Sequence, residues 1–203
     1  MKTRHIKAAM LGLTGLMAIT SANAADIAAG KAKAALCAGC HGADGNSINV
    51  IWPRLAGQHA SYLEKQLHNF QSGKRKDPTM TAMAASLNED DIKNVAAYFS
   101  SQKPAAAKFD STLVAKGQDI YRGGITDIGV AACMGCHSPT GEGNGPAGFP
   151  RLKGQHPEYV AIQLQNFKDG KRTNDTNKMM QNLVKRMSSQ EMKAVAAYVA
   201  GLK

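Results

Sequence analysis

The stretch LAGQHASYLEKQLHNFQSGKR at residues 55–75 recurs at residues 152–172 as LKGQHPEYVAIQLQNFKDGKR. The two stretches align without a gap and are identical at 12 of 21 positions. Agreement of this kind within one chain indicates a duplicated unit, and two copies are too few for a solenoid, which needs at least three. The chain is therefore predicted to form two similar domains.

Each copy has the periodicity of helices. Ser61 and Glu64 have the spacing of a capping box in the first copy, and Ser188 and Glu191 have it near the end of the second. No run shows the alternation of strands, so the fold is predicted to be all-α. The apolar residues of the closing helix in each half recur at helical spacing: Ile92, Val95, Ala96 and Phe99, and then Met192, Val195, Ala196 and Val199.

The first 24 residues are typical of an export signal. Lys2, Arg4 and Lys7 precede an apolar run at residues 8–19, and the small residues Ala-Asn-Ala end at Ala24. The apolar run is too short to span a bilayer. We therefore predict a signal peptide at residues 1–24 that is cleaved after Ala24 and directs export of the chain.

The remaining 179 residues are predicted to divide into domain 1 at residues 25–103 and domain 2 at residues 104–203. The joint is expected near residues 100–108, where a proline and small residues form a surface linker. The formal charge falls from +10 to +7 when the three cations of the signal leave. This surplus favours acidic protein partners, and export argues against nucleic acid as a partner.

All four cysteines lie in two pentapeptides, CAGCH at residues 37–41 and CMGCH at residues 133–137. A four-cysteine zinc site is disfavoured because the two pairs are 93 positions apart. A thioredoxin-type redox pair would need a βαβ setting. Covalent attachment of a haem also explains the histidine after each pair. The predicted thioether residues are Cys37, Cys40, Cys133 and Cys136, and the predicted axial ligands are His41 and His137.

The sixth iron ligand is predicted to be methionine, whose thioether raises the reduction potential of a haem. Seven methionines follow the signal, so position has to select among them. Aligning the closing helices through Tyr98 and Tyr198 places Met80 opposite Met180. Met80 and Met180 are the predicted ligands, with Met179 as the alternative to Met180.

Further candidate residues also come in pairs. Pro53 and Pro150 each begin Pro-Arg-Leu-x-Gly-Gln, and a proline carbonyl can orient an axial histidine by accepting its other ring proton. Arg54 and Arg151 are candidates for pairing with haem propionates, and the alternative for both is a solvated surface cation.

His59 and His156 also match in the repeat. For these two histidines a structural role at a helix start is expected, and the alternative is that one of them is a sixth ligand.

With these motifs, residues 25–203 resemble the cytochrome c4 family of bacterial dihaem electron carriers, which implies a location in the periplasm. The resemblance rests on both CxxCH motifs, the Trp/Phe-Pro-Arg-Leu-x-Gly-Gln segments, the Tyr-x3-Gln-Leu-x2-Phe helix face and the closing Ala-Ala-Tyr helices. It implies two class I cytochrome c domains related by a pseudo-twofold axis, with propionates meeting between them and His/Met coordination of both haem c groups.

The resemblance further implies a carrier of single electrons from respiratory-chain donors to a terminal oxidase, in loose association with the membrane. No small-molecule substrate is expected. One alternative function is a dihaem peroxidase, but the two halves carry the same ligand set and leave little room for a substrate pocket. A second alternative is a cytochrome subunit permanently docked to a membrane complex.

Overall fold

A computed structural model describes residues 24–202, so the predicted signal peptide lies outside the described residues except for Ala24. The first half begins with a helix next to the first CxxCH motif and ends with the longest helix of that half. Its helices are α1 (Ile27–Ala34), α2 (Ala38–His41), α3 (Ala60–Gln71), α4 (Pro78–Ala85) and α5 (Glu89–Ser101).

The second half repeats this order, with 3₁₀ turns at Ser111–Leu113, Thr126–Ile128 and Thr176–Lys178. Between residues 24 and 202 there is no strand, only two isolated bridges, and the all-α prediction is confirmed. None of the helices in that range combines the length and apolar character needed to cross a bilayer. The helices are α6 (Val114–Gly123), α7 (Met134–His137), α8 (Pro157–Lys168), α9 (Met179–Val184) and α10 (Ser189–Gly201).

The helix starts test the two predicted capping boxes. Ser188 and Glu191 form one at the start of α10, as predicted. The box predicted at Ser61 and Glu64 is wrong, because α3 begins at Ala60, two residues before the start that a cap at Ser61 would give, and the N-cap residue His59 makes no side-chain cap hydrogen bond. The Ser61 hydroxyl instead donates a hydrogen bond to the Gly145 carbonyl in the other half of the chain, at 3.0 Å.

In each half the first and last helices pack against each other through a glycine. A Cβ built on Gly30 of α1 would lie 2.0 Å from the Asn94 carbonyl oxygen, and one on Gly117 of α6 would lie 2.1 Å from the Ala194 carbonyl oxygen. Only a residue without a side chain allows this approach of two backbones. The predicted apolar faces of α5 and α10 are buried at these crossings.

Each half has its own apolar core, and the halves meet across a polar interface. Gln155 accepts a hydrogen bond from the Arg54 amide at 2.8 Å and donates one to the Arg54 carbonyl at 2.9 Å. Gln58 makes the same two bonds with the backbone of Arg151, both at 2.9 Å. This reciprocity is what a pseudo-twofold axis between the two domains produces, since each contact then occurs twice.

His59 and His156 precede α3 and α8, and both contact the opposite half. The His59 ring donates through Nε2 to the Glu142 carbonyl at 2.7 Å, and His156 donates through Nε2 to the Ser47 carbonyl at 2.8 Å. In both rings Nε2 thus carries a proton and donates it to a backbone carbonyl, so this nitrogen has no lone pair available to an iron. The contacts support the structural role and add a function in joining the domains.

Candidate haem-binding sites

Both CxxCH motifs fold into a single helical turn that directs the histidine inward. Cys40 and Cys136 are exposed, whereas Cys37 and Cys133 pack against the edge of the core of their own half. None of the four forms a disulfide within the described residues. Burial raises the pKa of the Cys37 thiol, and it raises that of Cys133 to about 11.

The four cysteines do not converge on one metal. Within residues 24–202 no three His, Cys, Asp or Glu side chains form a group that could bind a metal ion. This argues against the four-cysteine zinc site considered from the sequence. Each pair instead remains beside its own histidine, which suits one separate attachment site in each half.

The two motif histidines have the same surroundings. The Nδ1 atom of His41 donates to the Pro53 carbonyl at 2.9 Å, and that of His137 donates to the Pro150 carbonyl at 3.0 Å. Because a carbonyl only accepts, the proton is on Nδ1 and the Nε2 lone pair is available to a metal. Burial lowers the pKa of both rings, which favours the neutral form that can bind iron.

The methionines differ in burial. Met80 is half-buried in the first turn of α4, where Asp77 caps the helix by accepting from the Met80 amide. Met180 is half-buried in α9 and packs against the core of the second half, while Met179 is 41% exposed. The burial pattern over residues 80–90 repeats over residues 180–190. These observations favour Met180 over Met179 as the counterpart of Met80.

The paired arginines have different partners. Arg54 donates through Nη1 to the carbonyls of Ala105 and Gly154, at 2.7 and 3.1 Å, and its buried Nε has no partner within the described chain. An orphaned buried N–H is costly, so this atom fits a further acceptor such as a carboxylate.

Arg151 instead forms an ion pair with Glu142, whose other oxygen lies 2.9 Å from the Lys153 ammonium. Neither arginine is therefore a freely solvated cation. Sequence reasoning did not single out Glu142 as a partner of Arg151.

Comparison with known proteins identifies the family. The sequence profile of cytochrome c matches residues 27–103 and 114–203. Cytochrome c4 of Pseudomonas aeruginosa is 48% identical over 193 residues, which cover 95% of this chain and 94% of that protein. The chain belongs to the cytochrome c4 family. A crystal structure of reduced recombinant cytochrome c4 from Pseudomonas stutzeri matches with a TM-score of 0.85 and 43% identity, covering 89% of this chain and all of that one.

The chain is also similar to a relative whose name states its electron donor. The thiosulfate dehydrogenase electron acceptor of Stutzerimonas stutzeri is 38% identical over 170 residues, covering 82% of this chain and 78% of that protein. Membership of the cytochrome c4 family establishes a dihaem electron-transfer cytochrome with two haem c groups, one in each cytochrome c domain. Its partners are accordingly other redox proteins.

Proposed function

We propose that one haem c is attached through Cys37 and Cys40 and the other through Cys133 and Cys136, with His/Met coordination of both irons. The axial pairs are His41 with Met80 in domain 1 and His137 with Met180 in domain 2. The observation that carries this assignment is the duplicated histidine geometry, in which each Nδ1 is bound to a proline carbonyl and each Nε2 is available.

Bound haem supplies an iron that alternates between the ferric and ferrous states. The chain's own residues orient the histidine ring, keep it neutral and hold it in a buried site. The carbonyls of Pro53 and Pro150 also increase the basicity of the coordinating nitrogen. A thioether as the second ligand raises the reduction potential, which suits a carrier that delivers electrons to an oxidase. The same ligand set in both domains supports electron transfer rather than peroxidase chemistry.

The proposed route runs in the periplasm from respiratory-chain donors to a terminal oxidase, with cleavage of residues 1–24 and loose association with the membrane. The two domains are proposed to meet between residues 100 and 108, a stretch with no helix after Ser101. The basic surplus of the chain supports docking to acidic surfaces of the partners.

The first test is the intact mass and pyridine haemochrome of protein exported from a host that matures c-type cytochromes. The expected product starts at Ala25 and carries two covalent haems. One haem per chain, or none, would refute attachment at one or both motifs. A polypeptide that retains residues 1–24 would refute the cleavage site.

The methionine assignment is tested by replacing Met80, Met180 and Met179 separately with alanine. Met80→Ala and Met180→Ala should each remove one haem's share of the methionine–iron absorption band in the oxidised protein. Met179→Ala is the matched control and should leave the band intact. If Met179→Ala removes the band and Met180→Ala does not, the ligand in domain 2 is Met179.

A second electron donor is suggested by the relative named as a thiosulfate dehydrogenase electron acceptor. We propose that a thiosulfate dehydrogenase can reduce this chain as well. Stopped-flow reduction by such an enzyme with thiosulfate should be faster than reduction by thiosulfate alone. Equal rates with and without the enzyme would exclude that donor and leave the respiratory-chain route untouched.

A further inference from the structure

Two arginines of the repeated Gly-Lys-Arg motif meet at the domain interface. Arg75 donates through Nη1 to Gln66 at 2.9 Å and through Nη2 to Gln163 at 3.1 Å. Arg172 donates to the same two glutamine oxygens, at 3.2 Å to Gln66 and 2.9 Å to Gln163. Since both guanidinium groups bond to the same oxygens, two positive charges lie side by side between the domains.

The remaining contacts of this pair are also neutral. Arg75 donates to the Tyr159 hydroxyl at 3.0 Å, and Arg172 donates to the Tyr62 hydroxyl at 2.8 Å. Each guanidinium also lies over a phenylalanine ring of its own domain, at 4.8 Å for Arg75 and 4.6 Å for Arg172. We call Arg75, Arg172, Gln66, Gln163, Tyr62 and Tyr159 the arginine centre.

The charge of the arginine centre is not balanced by the chain. Among residues 24–202 neither guanidinium forms an ion pair with a carboxylate. Asp77, near Arg75, caps α4 instead. Although burial acts to raise the pKa of the Tyr62 hydroxyl, the charges of Arg172 and Arg75 lower it overall. Arg172 is only 8% exposed, and buried charge normally requires a partner of opposite sign.

Its position relates the arginine centre to the haems. Arg75 is five residues before Met80, and Arg172 is eight residues before Met180. Gln66 and Gln163 belong to α3 and α8, the helices on which the methionine-bearing α4 and α9 pack. Haem c carries two propionates, and these are the anions that the established cofactor brings. The uncompensated charge of the arginine centre thus makes it a part of the interface that suits these anions.

We propose that the arginine centre is a shared cationic site that neutralises propionates of both haems and couples their reduction potentials across the domain interface. This adds Arg75 and Arg172 to the candidates for charge balance; Arg54, whose buried Nε also fits a carboxylate, remains one of them. It rests on the presence of both haems. Removing one cation stabilises the oxidised, more positive haem and lowers its potential.

The test is a spectroelectrochemical titration of haem-loaded Arg75→Gln against Lys74→Gln, which removes the same charge from the exposed neighbouring residue. A buried unit charge within about 10 Å of an iron changes its reduction equilibrium roughly tenfold at an effective dielectric constant of about 20. A tenfold change corresponds to about 59 mV for one electron. Arg75→Gln should lower both midpoint potentials by about this amount, and Lys74→Gln should lower neither by more than a third of it.

Two results would overturn the proposal. Arg75→Gln with two haems and unchanged potentials would make the arginine centre a purely structural contact, and a shift of one haem alone would show that the site is not shared. If Arg75→Gln does not accumulate, Gln66→Glu decides. This near-isosteric change places an anion between two cations and should lower both potentials, whereas unchanged potentials would refute the idea. Haem content is measured on every variant, so that failure of the arginine-centre proposal can be distinguished from failure of haem attachment.

Discussion

Replacing Gln155 with leucine should weaken the domain interface and lower the free energy of unfolding by a defined amount. The side chain is 8% exposed and makes three hydrogen bonds to backbone, two with Arg54 and one from the His156 amide at 3.0 Å. Leucine of similar size leaves two N–H groups and one carbonyl without these partners. At about 1 kcal/mol for each lost bond, the free energy of unfolding should fall by about 3 kcal/mol.

The assay is guanidinium chloride unfolding of the haem-loaded protein, followed by far-ultraviolet circular dichroism. Gln190→Leu on the exposed face of α10 is the matched control and should change the free energy of unfolding by less than about 0.5 kcal/mol. Gln58→Leu removes the three symmetry-related bonds and should cost the same as Gln155→Leu. A loss below about 1 kcal/mol for Gln155→Leu, or a clear inequality between the two variants, would refute this account of the interface.

Two further predictions concern packing and pH. Gly117→Ala should destabilise the protein by roughly 3 kcal/mol in the same assay, because its Cβ would meet the Ala194 carbonyl oxygen. The control is Gly123→Ala on the same helix, which has open space and should be neutral or slightly stabilising. Equal effects of the two substitutions would exclude the close crossing of α6 and α10. The pKa of His156 is lowered overall, chiefly by burial and also by Arg54, although the Ser47 carbonyl and Glu158 act to raise it. The unfolded state therefore binds the proton first, and the stability present above about pH 6.5 should decline as the pH falls towards the folded-state pKa. His156→Gln should reduce this decline. An unchanged pH profile of stability would contradict the assignment of the decline to protonation of His156.

Local residue patterns were sufficient to predict the two similar halves, the buried helix faces and the orientation of each motif histidine. The duplication predicted two similar halves, and helical spacing identified the buried faces of α5 and α10. The CxxCH motifs and the prolines after them predicted that each histidine would donate to a proline carbonyl. These features depend on residues near one another in the chain, whose geometry is fixed by a helical turn and a short loop.

The contacts between the domains came only from the tertiary structure. Ser61 has the spacing of a capping residue, yet it bonds to Gly145 because the second domain lies within reach. Arg75 and Arg172 are ordinary surface cations by sequence. They form a pair between the domains only because the pseudo-twofold arrangement brings two copies of one face together. The fold of each domain could be predicted from the sequence, since helix periodicity and attachment motifs act locally. The meeting of Arg75 and Arg172 could not be predicted in this way, because it depends on the relative orientation of the domains, which no local pattern encodes.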